Sequence, residues 1–213
     1  MIEIISHRGY WKNEGEKNTL IAFNRSFELG FGTETDIRDY NGELVISHDI
    51  AGANAVKLER FFGVYKSFDK KMPLALNIKA DGLQVKLKEA LEKFGIDNYF
   101  VFDMSIPETL SYIKRGFKVF TRQSEYEVKP ALYDAAAGVW LDEFHGHWIT
   151  ESVLAEHSRN RKRICVVSPD LHKRDHQAEW NEYRELRRRP GDINMTLCTD
   201  FPEKAKEFFD AKN

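Results

Sequence analysis

Residues 6–49 read Ser6-His7-Arg8-Gly9 at the close of one apolar stretch, Glu34-Thr35-Asp36-Ile37-Arg38 at the close of the next, and Ile46-Ser47-His48-Asp49 at the close of a third. Ile2 to Ser6, Thr33 to Ile37 and Leu44 to Ser47 carry the β-branched and apolar residues of strands. Asn41-Gly42 between the last two is a strong hairpin signal, because both central positions of a type I′ turn need positive φ. Between the first two strands, Asn18-Thr19 caps a helical pattern through Leu20, Phe23, Phe27 and Leu29 that Gly30 stops. Strand, helix and strand in this order begin a parallel sheet with helical crossovers. The polar residues fall where the strands stop.

The rest of the chain keeps this rhythm. Strand-like runs at 74–78, 99–102, 118–121, 138–141, 164–167 and 195–198 alternate with helical patterns at 57–68, 83–94, 107–114, 150–158, 177–188 and 202–209, and a short helical stretch at 130–137. Eight strand-helix units, with one hairpin excursion after the second and no linker, predict an α/β fold of the (β/α)8 TIM-barrel class, one domain over residues 1–213. Such barrels carry their chemistry at the carboxyl ends of the strands. That rule groups His7, Arg8, Glu34, Asp36, Asn77, Lys79 and Asp103 on one face, with Arg122, Asp142, Glu143, Ser168 and Asp200 continuing the series.

Side chains two apart on a strand point the same way, so Glu34 and Asp36 converge, and Arg38 continues that face. Two adjacent carboxylates repel unless a cation lies between them, which points to a hard divalent ion with oxygen ligands. Asn77 can add a neutral carbonyl oxygen, while Arg8 and Lys79 can meet an anionic substrate. A metal, fixed cations and two imidazoles suit phosphoryl chemistry. The plainer alternative is a salt-bridge network of Glu34 and Asp36 with Arg8 and Arg38.

Composition narrows the partners. A net charge of -2 with both signs interspersed gives no footprint for nucleic acid, and the basic cluster from Arg184 to Arg189 reads as a solvated helix end. No window approaches the apolar length of a membrane span and the first residues have no leader pattern, so a soluble, cytoplasmic protein without a transmembrane segment is expected. Cys165 and Cys198 lie in apolar runs and match no metal or redox spacing, so they read as buried free thiols.

His7-Arg8-Gly9, Asn18-Thr19 leading to Ala22-Phe23, Glu34-Thr35-Asp36-Ile37 and His48-Asp49, with Thr199-Asp200-Phe201-Pro202 near the end, resemble the signature of the glycerophosphodiester phosphodiesterase family. The resemblance implies a TIM barrel, a phosphoric diester hydrolase of lipid metabolism, and a divalent ion, Mg²⁺ or Ca²⁺, with Mn²⁺ as a further choice. It implies His7 and His48 as general acid and base, Glu34 and Asp36 as metal ligands, and Arg8 and Lys79 as phosphate contacts. In that family a neighbouring hydroxyl of the substrate can attack phosphorus, giving a cyclic phosphate that water opens.

Three departures stand out. Glu16-Lys17-Asn18-Thr19 replaces Pro-Glu-Asn-Thr, so a carboxylate has become a lysine. The usual third glutamate ligand is Asn77, which leaves Asp103, Asp142 or Glu143 to supply charge. The long insertion that the family places after His48-Asp49 is absent or short. The mouth is therefore expected to be open and the substrate to be a glycerophosphodiester or a related, bulkier lipid or glycan phosphodiester, with the small glycerophosphocholine not the best. Trp11, His145 and Trp148 are its candidate contacts, while His172 and His176 read as solvated surface. The alternatives are an impaired barrel that binds a phosphorylated ligand, which the retained histidine pair argues against, and an unrelated barrel enzyme, for which no second catalytic pair is visible.

Overall fold

The computed structural model describes residues 2–187 and 193–211. Arg188 and Arg189 of the basic cluster therefore lie outside the described residues. The chain falls into two compact units, residues 6–119 and residues 2–5 with 120–211. Strand β1 (Ile2–His7) begins in the second unit, where it borders β10 (Met195–Thr199), and ends in the first, which holds β2 (Gly32–Tyr40).

In the first unit, β2 pairs in parallel with β5 (Leu74–Ile78), and β5 with β6 (Tyr99–Phe102). The far half of β2 turns back through Asn41 and Gly42, both at positive φ (49° and 80°), into antiparallel β3 (Glu43–Ile46), as the hairpin signal predicts. A two-residue strand, β4 (Val56–Lys57), follows on β3 and was not apparent from the sequence. Helices α1 (Leu20–Glu28) and α2 (Leu58–Lys66) bury Phe23, Phe27, Phe61 and Phe62 against Leu74, Leu76 and Ile78, where each side chain contributes about 1.5–3 kcal/mol. α3 (Gln84–Lys93) and α4 (Ile106–Lys114) complete this core with Leu87, Leu91 and Tyr112.

In the second unit, β7 (Phe120–Ser124), β8 (Gly138–Asp142), β9 (Arg163–Val167) and β10 pair in parallel in that order. α5 (Glu151–Arg159), α6 (Gln177–Arg187) and α7 (Pro202–Asp210) close over a core of Val139, Leu141, Ile164, Leu197, Trp180 and Tyr183. The helical stretch expected at 130–137 is a single 3-10 turn, Tyr133–Ala135. Cys165 and Cys198 are buried free thiols, as their apolar settings imply. Among the described residues no helix is long and apolar enough to cross a membrane.

The fold is thus α/β with parallel strands, and one expected feature differs. A closed barrel predicts a ladder from β6 to β7, whereas the described residues show one parallel bridge, Val101 to Val119, with the Val101 N–H donating to the Lys118 carbonyl at 2.9 Å. The cause is length and register. β6 has four residues, and its third faces residue 119, just ahead of β7.

Candidate functional site

The register of the first unit assembles the predicted residues. Asp36 and Asn77 are direct partners across β2 and β5, Glu34 lies two residues earlier on β2, and Lys79 follows β5 with its N–H donating to the Ile37 carbonyl. His7 and Arg8 end β1, where the Arg8 N–H donates to both the Glu34 carbonyl (3.0 Å) and Glu34 Oε2 (3.2 Å). Glu34, Asp36 and Asn77 are all buried.

Charge is packed tightly around Asp36. Arg8 Nε lies 3.1 Å from Asp36 Oδ2, and Lys79 Nζ is 3.6 Å from Asp36 Oδ1 and 3.4 Å from Asp103 Oδ2. The Arg8 Nε contact is an ion pair and not an aligned hydrogen bond, since that nitrogen has no hydrogen-bond partner among the described residues. Asp36 Oδ1 and Asn77 Oδ1 are buried and also lack one. His7 Nε2 is 4.0 Å from Glu34 Oε2. Burial, reinforced by the charge of Asp36, pushes the Glu34 carboxyl up to about 7, against the pull of His7, Arg8 and Lys79. Two orphaned oxygens in register and a carboxylate short of donors fit the donor set of a hard divalent cation.

The backbone holds this arrangement under strain. Arg8, Asn18 and Asp103 all have positive φ (57°, 60° and 71°) without being glycine, a conformation that Asn and Asp adopt readily and that costs Arg8 on the order of 1–2 kcal/mol. Gly9, at φ 81°, cannot be replaced without a clash, because a Cβ there would lie 2.8 Å from that of Ala22.

Asn18, which both the cap pattern and the family signature mark, is not itself the helix cap. The cap is Thr19, whose Oγ1 accepts from the Ala22 N–H; Asn18 instead donates from Nδ2 to Asp36 Oδ2 at 2.8 Å and accepts from the Thr35 hydroxyl at 2.8 Å. A motif pairing Asn with Thr just before the helix was the available signal.

Other predicted residues are held elsewhere. His48 is half-exposed; its Nδ1 bonds Asp49 at 2.9 Å and its carbonyl accepts from Arg38, so Arg38 does not join the carboxylates. The preceding Ser47 N–H is tied to the Asp36 carbonyl at 3.0 Å. Trp11 lies under Lys17 Nζ, 4.4 Å from its ring, and Lys17 also pairs with Glu14. Of the carboxylates considered as substitutes for the missing glutamate, Asp103 reaches the site through Lys79.

In the second unit, Asp142 Oδ1 is 2.6 Å from His172 Nε2, so His172 is engaged, contrary to the solvated surface expected. His176 stacks on Trp180. His145 bonds the Tyr126 hydroxyl, and Trp148 Nε1 donates to the Asp142 carbonyl at 3.3 Å. Glu143 is fully buried beneath the loop that follows β8. Though burial works to raise it, the Glu125 carboxyl is drawn down to about 2 by N–H donors of His145, Phe144 and Gly146.

No protein-family model and no curated protein matches the sequence. Solved structures do. A Galdieria sulphuraria protein named as a candidate glycerophosphodiester phosphodiesterase superposes with a TM-score of 0.78 at 18% identity, over 99% of this chain and 98% of its own. A glycerophosphodiester phosphodiesterase from Agrobacterium tumefaciens gives 0.67 at 16% identity, over 97% and 100%. An Oleispira antarctica phosphodiesterase, solved with its product sn-glycerol-3-phosphate, gives 0.68 at 15%, over 98% and 97%. The fold of this chain is that of the glycerophosphodiester phosphodiesterases its strand-end motifs resemble.

Proposed function

We propose that the protein is a divalent-metal-dependent phosphodiesterase, a phosphoric diester hydrolase acting on a glycerophosphodiester or a bulkier lipid or glycan phosphodiester. The observation that carries this reading is the juxtaposition of two orphaned oxygens, Asp36 Oδ1 and Asn77 Oδ1, with Glu34 and the cations Arg8 and Lys79. The reading takes residues 1–213 as one domain of the (β/α)8 class; the parallel pairing within each unit and the whole-chain likeness to solved phosphodiesterases support it. A cytoplasmic location goes with it, supported by two buried free thiols.

Glu34, Asp36 and Asn77 would hold the metal, which would supply Lewis-acid polarisation of the phosphoryl oxygens. Arg8 and Lys79 bind the remaining phosphoryl oxygens, and Asp103 and Asn18 fix the groups that fix the site: Asp103 restrains Lys79, and Asn18 sets the plane of the Asp36 carboxylate. His7, beside Glu34, takes the proton of the nucleophile, either a neighbouring hydroxyl of the substrate, whose cyclic phosphate water then opens, or water itself where the substrate has no such hydroxyl. His48, whose Nδ1 is anchored on Asp49, returns a proton from Nε2 to the leaving oxygen. Trp11, in the same unit as the carboxylates, contacts the body of the substrate.

Hydrolysis of bis(p-nitrophenyl) phosphate with Mg²⁺, Mn²⁺ or Ca²⁺ tests this. Activity should depend on the added ion and fall by roughly 10²–10⁴-fold in His7→Ala and Glu34→Ala. Metal-independent hydrolysis, or activity that survives both substitutions, rejects the mechanism. A barrel that binds a phosphorylated ligand without turnover is the second reading. Asn77 in place of a carboxylate favours it, and saturable binding of glycerol phosphate with no hydrolysis under any of the three ions would select it.

A further inference from the structure

A second polar cluster lies wholly within residues 120–211 and takes no part in the reaction above. Glu143, just past β8, is fully buried. Its Oε1 accepts from the N–H groups of Trp148 and Ile149, both at 2.7 Å, and lies 3.0 Å from His147 Nδ1. These contacts fix the carboxylate and leave Oε2 with no hydrogen-bond partner among the described residues; its nearest ion-pair contact, Arg174 Nη1, is 3.8 Å away. Glu179, on α6 and 5% exposed, accepts at Oε1 from Arg174 Nη2 at 2.6 Å, and its Oε2 is likewise buried with no hydrogen-bond partner among the described residues. His147 Nδ1 is 3.8 Å from Glu179 Oε1, and its Nε2 meets Glu182 Oε2 at 2.9 Å.

The Tyr183 side chain provides an independent observation. It is fully buried, its hydroxyl has no hydrogen-bond partner among the described residues, and it feels the charges of Glu143, Glu179 and Glu182. Glu143 and Glu179 share the Arg174 guanidinium and Glu182 reaches the cluster through His147, so with a neutral imidazole the three carboxylates outweigh the one guanidinium by two negative charges. A proton on His147 would neutralise one of these and still leave both Oε2 atoms and the tyrosine hydroxyl without partners. A divalent ion would neutralise both charges and use the orphaned oxygens as ligands.

One ligand atom from each of Glu143, His147 and Glu179 falls within 4.8 Å of the others. A mixed imidazole and carboxylate set suits zinc or manganese better than magnesium or calcium, which favour all-oxygen shells. We propose that Glu143, His147 and Glu179 form a site for a divalent transition ion, Zn²⁺ or Mn²⁺, that fastens the loop after β8 to α6. The residues of this site all belong to the second unit and the carboxylates of β2 to the first, so each set can be substituted by itself.

The full chain, stripped with a chelator, is titrated calorimetrically with Zn²⁺ and Mn²⁺ in the Glu34→Gln/Asp36→Asn background. One ion per chain should still bind there, and adding His147→Ala or Glu179→Gln should weaken it by roughly tenfold or more. The same ion should raise the thermal midpoint of the background protein and leave that of the His147→Ala version unmoved. Absence of binding in the background, or binding unaltered by both further substitutions, overturns the site.

Discussion

Glu34 and Glu143 are both buried glutamates at strand ends, yet they are held in opposite ways. Glu34 accepts one backbone N–H at 3.2 Å, stands beside Asp36, and has its carboxyl pushed up to about 7. Glu143 receives two backbone N–H groups at 2.7 Å, with His147 and Arg174 beside it. A carboxylate that the fold leaves short of donors is one whose donors or cation come from outside; a carboxylate surrounded by its own backbone holds the fold together. The same residue type is therefore left short of donors in one unit and tied into the backbone in the other.

The largest expected effect is on stability. Glu143→Ala removes the acceptor of several buried donors and should destabilise by about 3–5 kcal/mol in urea unfolding. Next, Glu34→Gln should change stability by less than ~1 kcal/mol, since it removes a carboxylate that burial disfavours, while kcat/KM falls at least about a hundredfold. If both variants unfold alike, the contrast between the two glutamates is lost.

Asn18 sharpens the comparison at finer scale. Asn18→Ala loses both the left-handed preference and the bond to Asp36, for about 1–2 kcal/mol; Asn18→Gly should regain much of that stability through its tolerance of φ 60°, but none of the activity. Recovery of activity by glycine would show that the side-chain bond to Asp36 is unimportant.

The smallest effect is in the histidines of the second unit. The hydrogen bond to Asp142, opposed by burial, raises His172 above its ordinary value, so its contribution to stability is present below about pH 6.5 and lost as pH rises through the folded-state value. His157, bonded to Tyr133 and Gln123, is lowered by burial and behaves oppositely: its contribution is present above about pH 6.5 and lost as pH falls through its folded-state value. Asp142→Asn should bring the His172 titration down in an NMR series while leaving that of His157 in place.

Legibility in the sequence followed the same divide. Glu34, Asp36, Asn77 and Lys79 were readable because strand alternation and parallel register alone bring them together, and Asn41-Gly42 was readable because its turn admits few other residues. Glu143, His147, Arg174, Glu179 and Glu182 were not, because a loop, a 3-10 turn and a helix had to fold on one another before any two of them met. Asn18 was half-legible: the cap motif marked its place, but only the left-handed backbone turned it from the helix toward Asp36. The short reach of β6, with one bridge at Val101, depended on register offsets that composition does not encode.

The segment between β3 and β4 has a consequence for engineering. Ile50 is 91% exposed, residues 52–54 are exposed, and the backbone there is fastened by a local turn from the Ala55 N–H to the Gly52 carbonyl. Lengthening such a segment costs only loop closure, about 0.6 kcal/mol for each doubling. The chain thus has a graft point immediately after His48-Asp49, where a lid domain can be added or removed without recutting the strands that hold the carboxylates.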